Sequence, residues 1–454
     1  MDEDGRLDLS IALRPRRRVL GCPRMRWTLA LLIYRLLLPL LFLAAFPGWI
    51  VKMLRRGGFG TRLGERLALY RADLEYEPCG AVHVHAVSVG ESLLAVKLIR
   101  EWMKVEPVQR FVLATGTATG HAVARAAGVE GLRVTYAPLD FKWMVRRYLG
   151  RFEPSQIVLI EGEVWPHLLI ECRKRSIPAT LVNARMSPRS ARRYRKAAAW
   201  LQPLFGMLNA VAVQEEEDLD LWQSLGVAPE KIHRTGSLKF DPGSGELPER
   251  RPEFQEMLDV FGKGRSVILA ASTHAGEEAW IATAIRDAAP EALPVIVPRH
   301  AERRDAVKAE LEDAGFKVVL RSVMDDAAHV CADSLVFLID STGELKDWTA
   351  HADAVIIGKS FLATGGQNPA EAILAGKPVI FGPHMENFQV LADRLLDERA
   401  CQLARDAEGL KEAIRALLDP VVAADQVTRA TRVLAVHCGA TRRCIALMMN
   451  GSGG

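Results

Sequence analysis

Residues 358–388, GKSFLATGGQNPAEAILAGKPVIFGPHMENF, hold the densest set of groups suited to anion chemistry. An apolar run, 354–357, enters a Gly-rich turn at Thr364-Gly365-Gly366, and Asn368-Pro369 then heads an Ala-rich helix that stops at Gly376. Pro in a first helical turn and Gly just past the last turn are the expected asymmetry. A Gly-rich loop opening a helix offers unpaired backbone N–H groups and the positive end of a dipole, which suits a phosphate. Glu371, on the first turns, is placed to accept hydrogen bonds from ribose hydroxyls. An ordinary tight β-to-α turn is the competing reading.

Other candidates stand where further apolar runs end. Ser88-Val89-Gly90-Glu91 follows 82–87. Gly90 suits a tight turn, and Glu91 serves either as a helix-capping charge or as a general base. The stretch 114–120, ATGTATG, is a second anion or sugar loop or else a plain N-cap turn. Glu161-Gly162-Glu163 sets two carboxylates around a glycine at a strand end, which argues against a core position and leaves rim solvation as the alternative. Arg185 begins a basic run, 185–196, that is either a solvated face or a collector of acidic lipid. In the second half, Ser272 and Thr273 are hydroxyl groups between a strand and a helix. Arg299 and His300 follow the next strand, where a cation can meet a phosphate or a base. Seven widely separated cysteines with no CxxC imply a reduced compartment and no structural zinc, no HxxxH suggests a bound metal, and no cofactor is expected.

The elements that must carry these groups are short apolar strands alternating with helical stretches. Strands are expected at 82–87, 111–114, 156–160, 179–182 and 210–213, and again at 266–271, 294–297, 317–320, 335–339, 354–357 and 378–381. Helix-length spacing between strands predicts parallel βαβ units, hence an α/β chain of two Rossmann-like halves with ligands at the strands' carboxyl ends, in a cleft between the halves. The expected division is a basic extension (1–26), a membrane anchor (27–51), a first domain (52–240), a Gly/Pro-rich linker (241–250), a second domain (251–447) and a disordered tail (448–454). The apolar fraction of 49% with 25% charged residues suits a globular core, and a net charge of +4 is too small to argue for nucleic acid.

Residues 27–51, WTLALLIYRLLLPLLFLAAFPGWIV, are long enough to cross a bilayer but are interrupted by Arg35, Pro39 and Pro47. Basic residues flank both ends, and no small-residue cleavage site follows. The expectation is an uncleaved anchor, spanning or lying in the cytoplasmic face with Arg35 reaching for the headgroups.

HAVSVGE (85–91), EGEVWP (161–166), LVNARMSPRSARRY (181–194), TGSLKFD (235–241), ASTHAGEE (271–278), VPRHAER (297–303), GGQNPAEA (365–372) and FGPHMENF (381–388) occur in an order that resembles the 3-deoxy-D-manno-octulosonic acid (Kdo) transferases of glycosyltransferase family 30. Those enzymes move Kdo from CMP-Kdo to the lipid A precursor in lipopolysaccharide assembly. The resemblance implies a GT-B fold and a bacterial inner-membrane location on the cytoplasmic face. It also implies Glu91 as catalytic base, with Ser88, Gly90, Glu161, Glu163 and Arg185 on the acceptor side. Ser272, Thr273, Arg299, His300, Gly365, Gly366, Asn368 and Glu371 fall on the donor side. Departures from the family pattern are Gly162 in place of a hydroxyl residue, Gln367 in place of His, and a longer extension before the anchor. A GT-B nucleotide-sugar epimerase and a non-catalytic membrane-bound relative are the rivals, and both leave features unexplained. An epimerase has no use for the anchor and the basic run, and a lost activity has none for Glu91 and the Gly365 loop.

Overall fold

The computed structural model describes residues 23–55, 63–70, 80–162, 164–241, 248–326 and 334–450. Glu163, the extension up to residue 22, the linker residues 242–247 and the tail from 451 lie outside the described residues. Two compact units form, one reaching Thr235 and taking in the chain from Arg442, the other running from Gly236 to Thr441.

The first unit is built on β1 (Val82–Ala86), β2 (Phe111–Thr115), β3 (Leu132–Tyr136), β4 (Gln156–Ile160), β5 (Ala179–Ala184), β6 (Ala210–Val213) and β7 (Ile232–Arg234). These make one parallel sheet in the order β3-β2-β1-β4-β5-β6-β7. β2, β4, β5 and β6 read as largely apolar, fully buried runs, as strands covered on both faces do. β1 and β4 are adjacent, with Val82 beside Gln156, and the strand order reverses between them. Loops leaving that pair of strands diverge and open a ligand crevice at their carboxyl ends.

The second unit repeats the principle with β8 (Val267–Thr273), β9 (Leu293–Pro298), β10 (Lys317–Leu320), β11 (Leu335–Leu338), β12 (Ala354–Ile357), β13 (Val379–Phe381) and β14 (Gln402–Leu403). The order is β10-β11-β9-β8-β12-β13-β14, again all parallel, and the reversal falls between β8 and β12. Phe254 stacks on Trp348 with ring centroids 4.0 Å apart, and Phe337 meets the same indole edge-on, which closes the core on one face.

β3, β7 and β14 were not among the expected strands. Arg133 and Thr135 break up the apolar pattern of β3, while β7 and β14, of three and two residues, are too short to carry a period. The expected Ala-rich helix at 370 is a five-residue turn of helix, Ala370–Leu374, so its dipole is far smaller than a full helix would supply.

Helix Pro23–Arg55 runs unbroken through Pro39 and Pro47. Its residues Met25–Gly48 are long and apolar enough to cross a membrane. One stripe of it rests on the first unit. Trp27 packs on the unit's core, Tyr34 Oη donates to Asp140 Oδ2 at 2.8 Å, and Phe42 meets Phe141 edge-on. Arg35, expected to reach for headgroups, directs its Nε to His167 Nε2 at 3.3 Å. The Asp140 carboxylate also takes the N–H groups of His167 and Leu168, so the contact ends on a helix start that is already anchored.

Gly358, just after β12, ties the second sheet's geometry to its crevice. A methyl there would lie 2.6 Å from Ser272 O and from Thr273 Cα, both backbone atoms. Gly358→Ala is expected to destabilise the protein by about 1–3 kcal/mol, the usual penalty for overpacking, read as a lower midpoint in thermal unfolding.

Candidate active site

Each unit presents its own group of candidate side chains at the carboxyl ends of the strands flanking its order reversal. In the first unit the chain leaves β1 and turns into helix Val89–Val105 with Ser88 as N-cap. Ser88 Oγ accepts Glu91 N–H at 3.2 Å, and Glu91 Oε2 accepts Val87 N–H at 2.8 Å. This is a variant of the capping box in which the carboxylate takes the N–H of the residue before the N-cap rather than that of Ser88 itself. It fixes the Glu91 side chain through one oxygen, and Oε1 takes no hydrogen bond from the described residues. The turn assigned to Gly90 is not there. Gly90 lies inside the first helical turn without a positive φ, and a methyl on it would meet only Ser88 Oγ, at 3.9 Å. The missing side chain therefore leaves open space next to Glu91.

The loop after β2 takes the N-cap form. Thr117 Oγ1 accepts Gly120 N–H at 3.1 Å and donates to Val87 O at 3.0 Å, which braces the Glu91 loop. At the end of β4, Glu161 adopts a left-handed φ of +60°, a conformation that for such a residue costs of order 1–3 kcal/mol. Its N–H donates to Val182 O at 3.0 Å, and its carbonyl accepts Arg185 N–H at 3.2 Å. Glu161 and Arg185 thus stand together at the ends of β4 and β5. Glu163 is outside the described residues.

Behind the β1 loop lies a buried chain of polar rings. His83 Nδ1 is 2.5 Å from Tyr148 Oη, which is 3.3 Å from His85 Nε2. Burial disfavours the charged imidazole, pulling His85 down to about 4 and His83 well below its ordinary value, with His85 adding to the effect on His83.

In the second unit a cavity of about 250 Å³ is lined by Ser272, Arg299, Gln367, Asn368 and Glu371, with Leu345, Val355 and Ile357 as apolar wall. Four of the expected donor residues meet here. Ser272 occupies the bulge where the β8–β9 register shifts and has φ +56°. Asn368 Oδ1 accepts Ala370 N–H at 3.1 Å, capping the short helix that carries Glu371. Burial raises the proton affinity of Glu371, and the Arg299 guanidinium opposes that shift.

The other expected donor residues do not line this cavity. Thr273 is fully buried, and its hydroxyl donates to Glu278 Oε1 at 3.1 Å. His300 is exposed, edge-on to His274. Gly365 and Gly366 flank the cavity, with φ of +117° and +65°. Methyl groups on them would strike Asn387 Nδ2 at 2.7 Å and Met385 Sδ at 2.6 Å. Residues to which no role attached in the sequence prove structurally central. Glu277, fully buried, accepts N–H groups from both the β8 and β12 loops, and Lys359 takes a left-handed φ of +57° directly after β12. The paired acids of AGEE, opening a helix beside a Gly-rich partner loop, were the available signal for Glu277.

Comparison with known proteins agrees with this architecture. A family model described as 3-deoxy-D-manno-octulosonic-acid transferase (kdotransferase) matches residues 61–242. The 3-deoxy-D-manno-octulosonic acid transferase of Bordetella pertussis is 36% identical over 436 residues, covering 92% of this chain and 97% of that protein. The transferase of the same description from Haemophilus influenzae is 30% identical over 395 residues, 86% of this chain and 91% of that protein. Among solved structures, UDP-GlcNAc 2-epimerase from Neisseria meningitidis superposes with a TM-score of 0.54 at 12% identity, over 82% of this chain and 100% of the other. That likeness speaks for the fold alone, which is GT-B.

The buried imidazoles carry a consequence for acid stability. Free histidine titrates near 6.5, so the unfolded chain binds protons that folded His83 and His85 exclude. Their contribution is complete above about pH 6.5 and is lost as pH falls toward about 4. The thermal midpoint is expected to drop across that window, and less steeply in His85→Gln. Parallel curves for the two proteins would contradict the assignment.

Proposed function

The chain belongs to the 3-deoxy-D-manno-octulosonic acid (Kdo) transferase family, and on that premise we propose that it moves Kdo from CMP-Kdo to a glucosamine hydroxyl of the lipid A precursor with inversion. The observation that supports this reading most is Glu91, a carboxylate oriented through one oxygen with the other left open, beside the bare backbone of Gly90. Glu91 takes the proton from the acceptor hydroxyl as that oxygen bonds to the anomeric carbon of Kdo. The bond from that carbon to the phosphate oxygen breaks, and CMP departs with the electron pair. A positioned base of this kind contributes about 10²–10⁴-fold.

Arg299 meets the negative charge that grows on the departing phosphate, with Ser272 and Asn368 as neutral partners. Glu371, on the same cavity, holds the ribose hydroxyls. Glu161 and Arg185, brought together at the ends of β4 and β5, serve the acceptor, and the same role is assigned to Glu163.

For location we propose the cytoplasmic face of the bacterial inner membrane. Helix Pro23–Arg55 turns Leu29, Leu32, Leu36, Leu40 and Leu43 outward while its other stripe rests on the first unit. Beside it, helix Pro188–Phe205 carries Arg189, Arg192, Arg193, Arg195 and Lys196 along with exposed Tyr194 and Trp200. Basic residues near an anionic leaflet contribute about 1 kcal/mol each. A helix that rests on the globular unit at Trp27, Tyr34, Arg35 and Phe42 fits a position in the interface better than a crossing of the bilayer.

Glu91→Gln separates the two roles open to this residue, because glutamine can still accept the Val87 N–H but cannot take a proton. Transfer is expected to fall by at least about 100-fold with CMP-Kdo binding and thermal midpoint retained. Near-normal transfer would reduce Glu91 to a helix cap. Glu371→Ala is expected to weaken donor binding while the protein partitions with membranes as before, checked by titration and by fractionation.

A further inference from the structure

The Gly365 turn holds an arrangement that the transfer chemistry above leaves unused. Lys359 lies directly after β12, and Gly366 N–H is fastened to its carbonyl at 3.0 Å. Its side chain runs along the turn, since a Cβ added to Gly365 would sit 3.6 Å from Lys359 Cε. The residue is half-buried and makes no ion pair among the described residues. Its charge is felt locally, because after burial it is the main influence holding His274 below its ordinary value. A half-buried lysine with no ion pair among the described residues is able to receive an anion.

The group now seated on the turn identifies the kind of anion. Gly365 N–H donates to Glu386 Oε2 at 2.5 Å, and Glu386 Oε1 is 3.4 Å from His384 Nδ1. A carboxylate therefore already fits this amide, and it comes from a side chain that is 51% exposed and free to swing away. The donor has a carboxylate to offer. In a 2-ulosonic acid the carboxylate is bonded to the anomeric carbon, the atom that also carries the phosphate. A site for such a donor must receive two anions side by side. Gln367, on the wall of the Arg299 cavity, is two residues from Gly365, at most about 7.6 Å along the chain.

We propose that Gly365 N–H and the Lys359 ammonium form the receptor for the sugar carboxylate, and that Glu386 occupies it until the donor displaces it. Lys359 is then a specificity-determining residue that selects acidic over neutral sugars, and Glu386 is an internal competitor. The receptor rests on the donor reading given above, and it makes and breaks no covalent bond.

The test compares CMP with freshly prepared CMP-Kdo by calorimetric titration of the full chain in detergent. Lys359→Met keeps the apolar stem and removes the charge. A charge-assisted hydrogen bond is worth about 1.5–3 kcal/mol, so CMP-Kdo affinity should fall by at least about tenfold while CMP affinity is unchanged. Lys359→Arg should restore the preference, which guards against a mere folding defect. Glu386→Ala should tighten CMP-Kdo and leave CMP unchanged. Equal losses for both ligands in Lys359→Met would assign the cation to the phosphate and overturn the receptor, as would no loss at all. Weaker CMP-Kdo binding in Glu386→Ala would make Glu386 a prop for the turn and overturn the competition. Wild-type protein that binds CMP but not CMP-Kdo would overturn the donor reading, and the receptor with it.

Discussion

The carboxylate of Glu277 is fully buried and receives N–H groups from His274 at 3.1 Å, Lys359 at 2.6 Å, Phe361 at 3.2 Å and Leu362 at 3.5 Å. A carboxylate taken out of water is tolerated only when donors of this kind replace its hydration. The bonds join the turn after β8 to the loop after β12, the two strands between which the second sheet reverses its order. Much of the proposed donor side is built on that junction. Ser272 sits on one of the joined segments, and Lys359 and the Gly365 turn sit on the other. Glu278 adds a second tie, accepting from Thr273 Oγ1 at 3.1 Å and from Arg303 at 2.7 Å.

The first unit uses the same device with a different outcome. Glu91 also binds a backbone N–H at the end of a central strand, but it commits one oxygen and is not buried like Glu277. A carboxylate wholly surrounded by N–H donors is a structural tie. One that is half-engaged is oriented and still has an oxygen to act as a base. That difference in saturation, rather than residue type, decides which acid at a strand end is suited to chemistry. Left-handed, non-glycine backbone gathers at the same edges, at Glu161 and Asn183 in one unit and Ser272 and Lys359 in the other. Strain of this kind persists where surrounding bonds over-determine it, as they do here.

Much of this was legible in the residues. Continuous apolar runs at helix-length intervals disclose two parallel sheets, and the carboxyl-end rule leads directly to Glu91, Ser272, Arg299, Asn368 and Glu371. What escaped has physical reasons. β7 and β14 are too short to show a period, and β3 alternates in a way that suits a partly solvated edge. Gly90 has the look of a turn residue, but a helix can begin on it when Ser88 supplies the cap. Thr273 and Ser272 are adjacent hydroxyls with opposite fates, because a single bulge points one toward the cavity and the other into the core. No pattern of residue types reveals the positive φ of Lys359 or the carboxylate of Glu386 on Gly365 N–H, since the first is a local backbone twist and the second a contact between loops 21 residues apart.

The account stands or falls on glycosyl transfer to a lipid. The direct measurement is transfer of radiolabelled Kdo from CMP-Kdo to a tetraacylated lipid A precursor by membranes carrying this chain. The predicted result is labelled lipid, with the number of added sugars read by mass. Absence of labelled lipid from protein that still binds CMP-Kdo would contradict the assigned acceptor and the role given to Glu91.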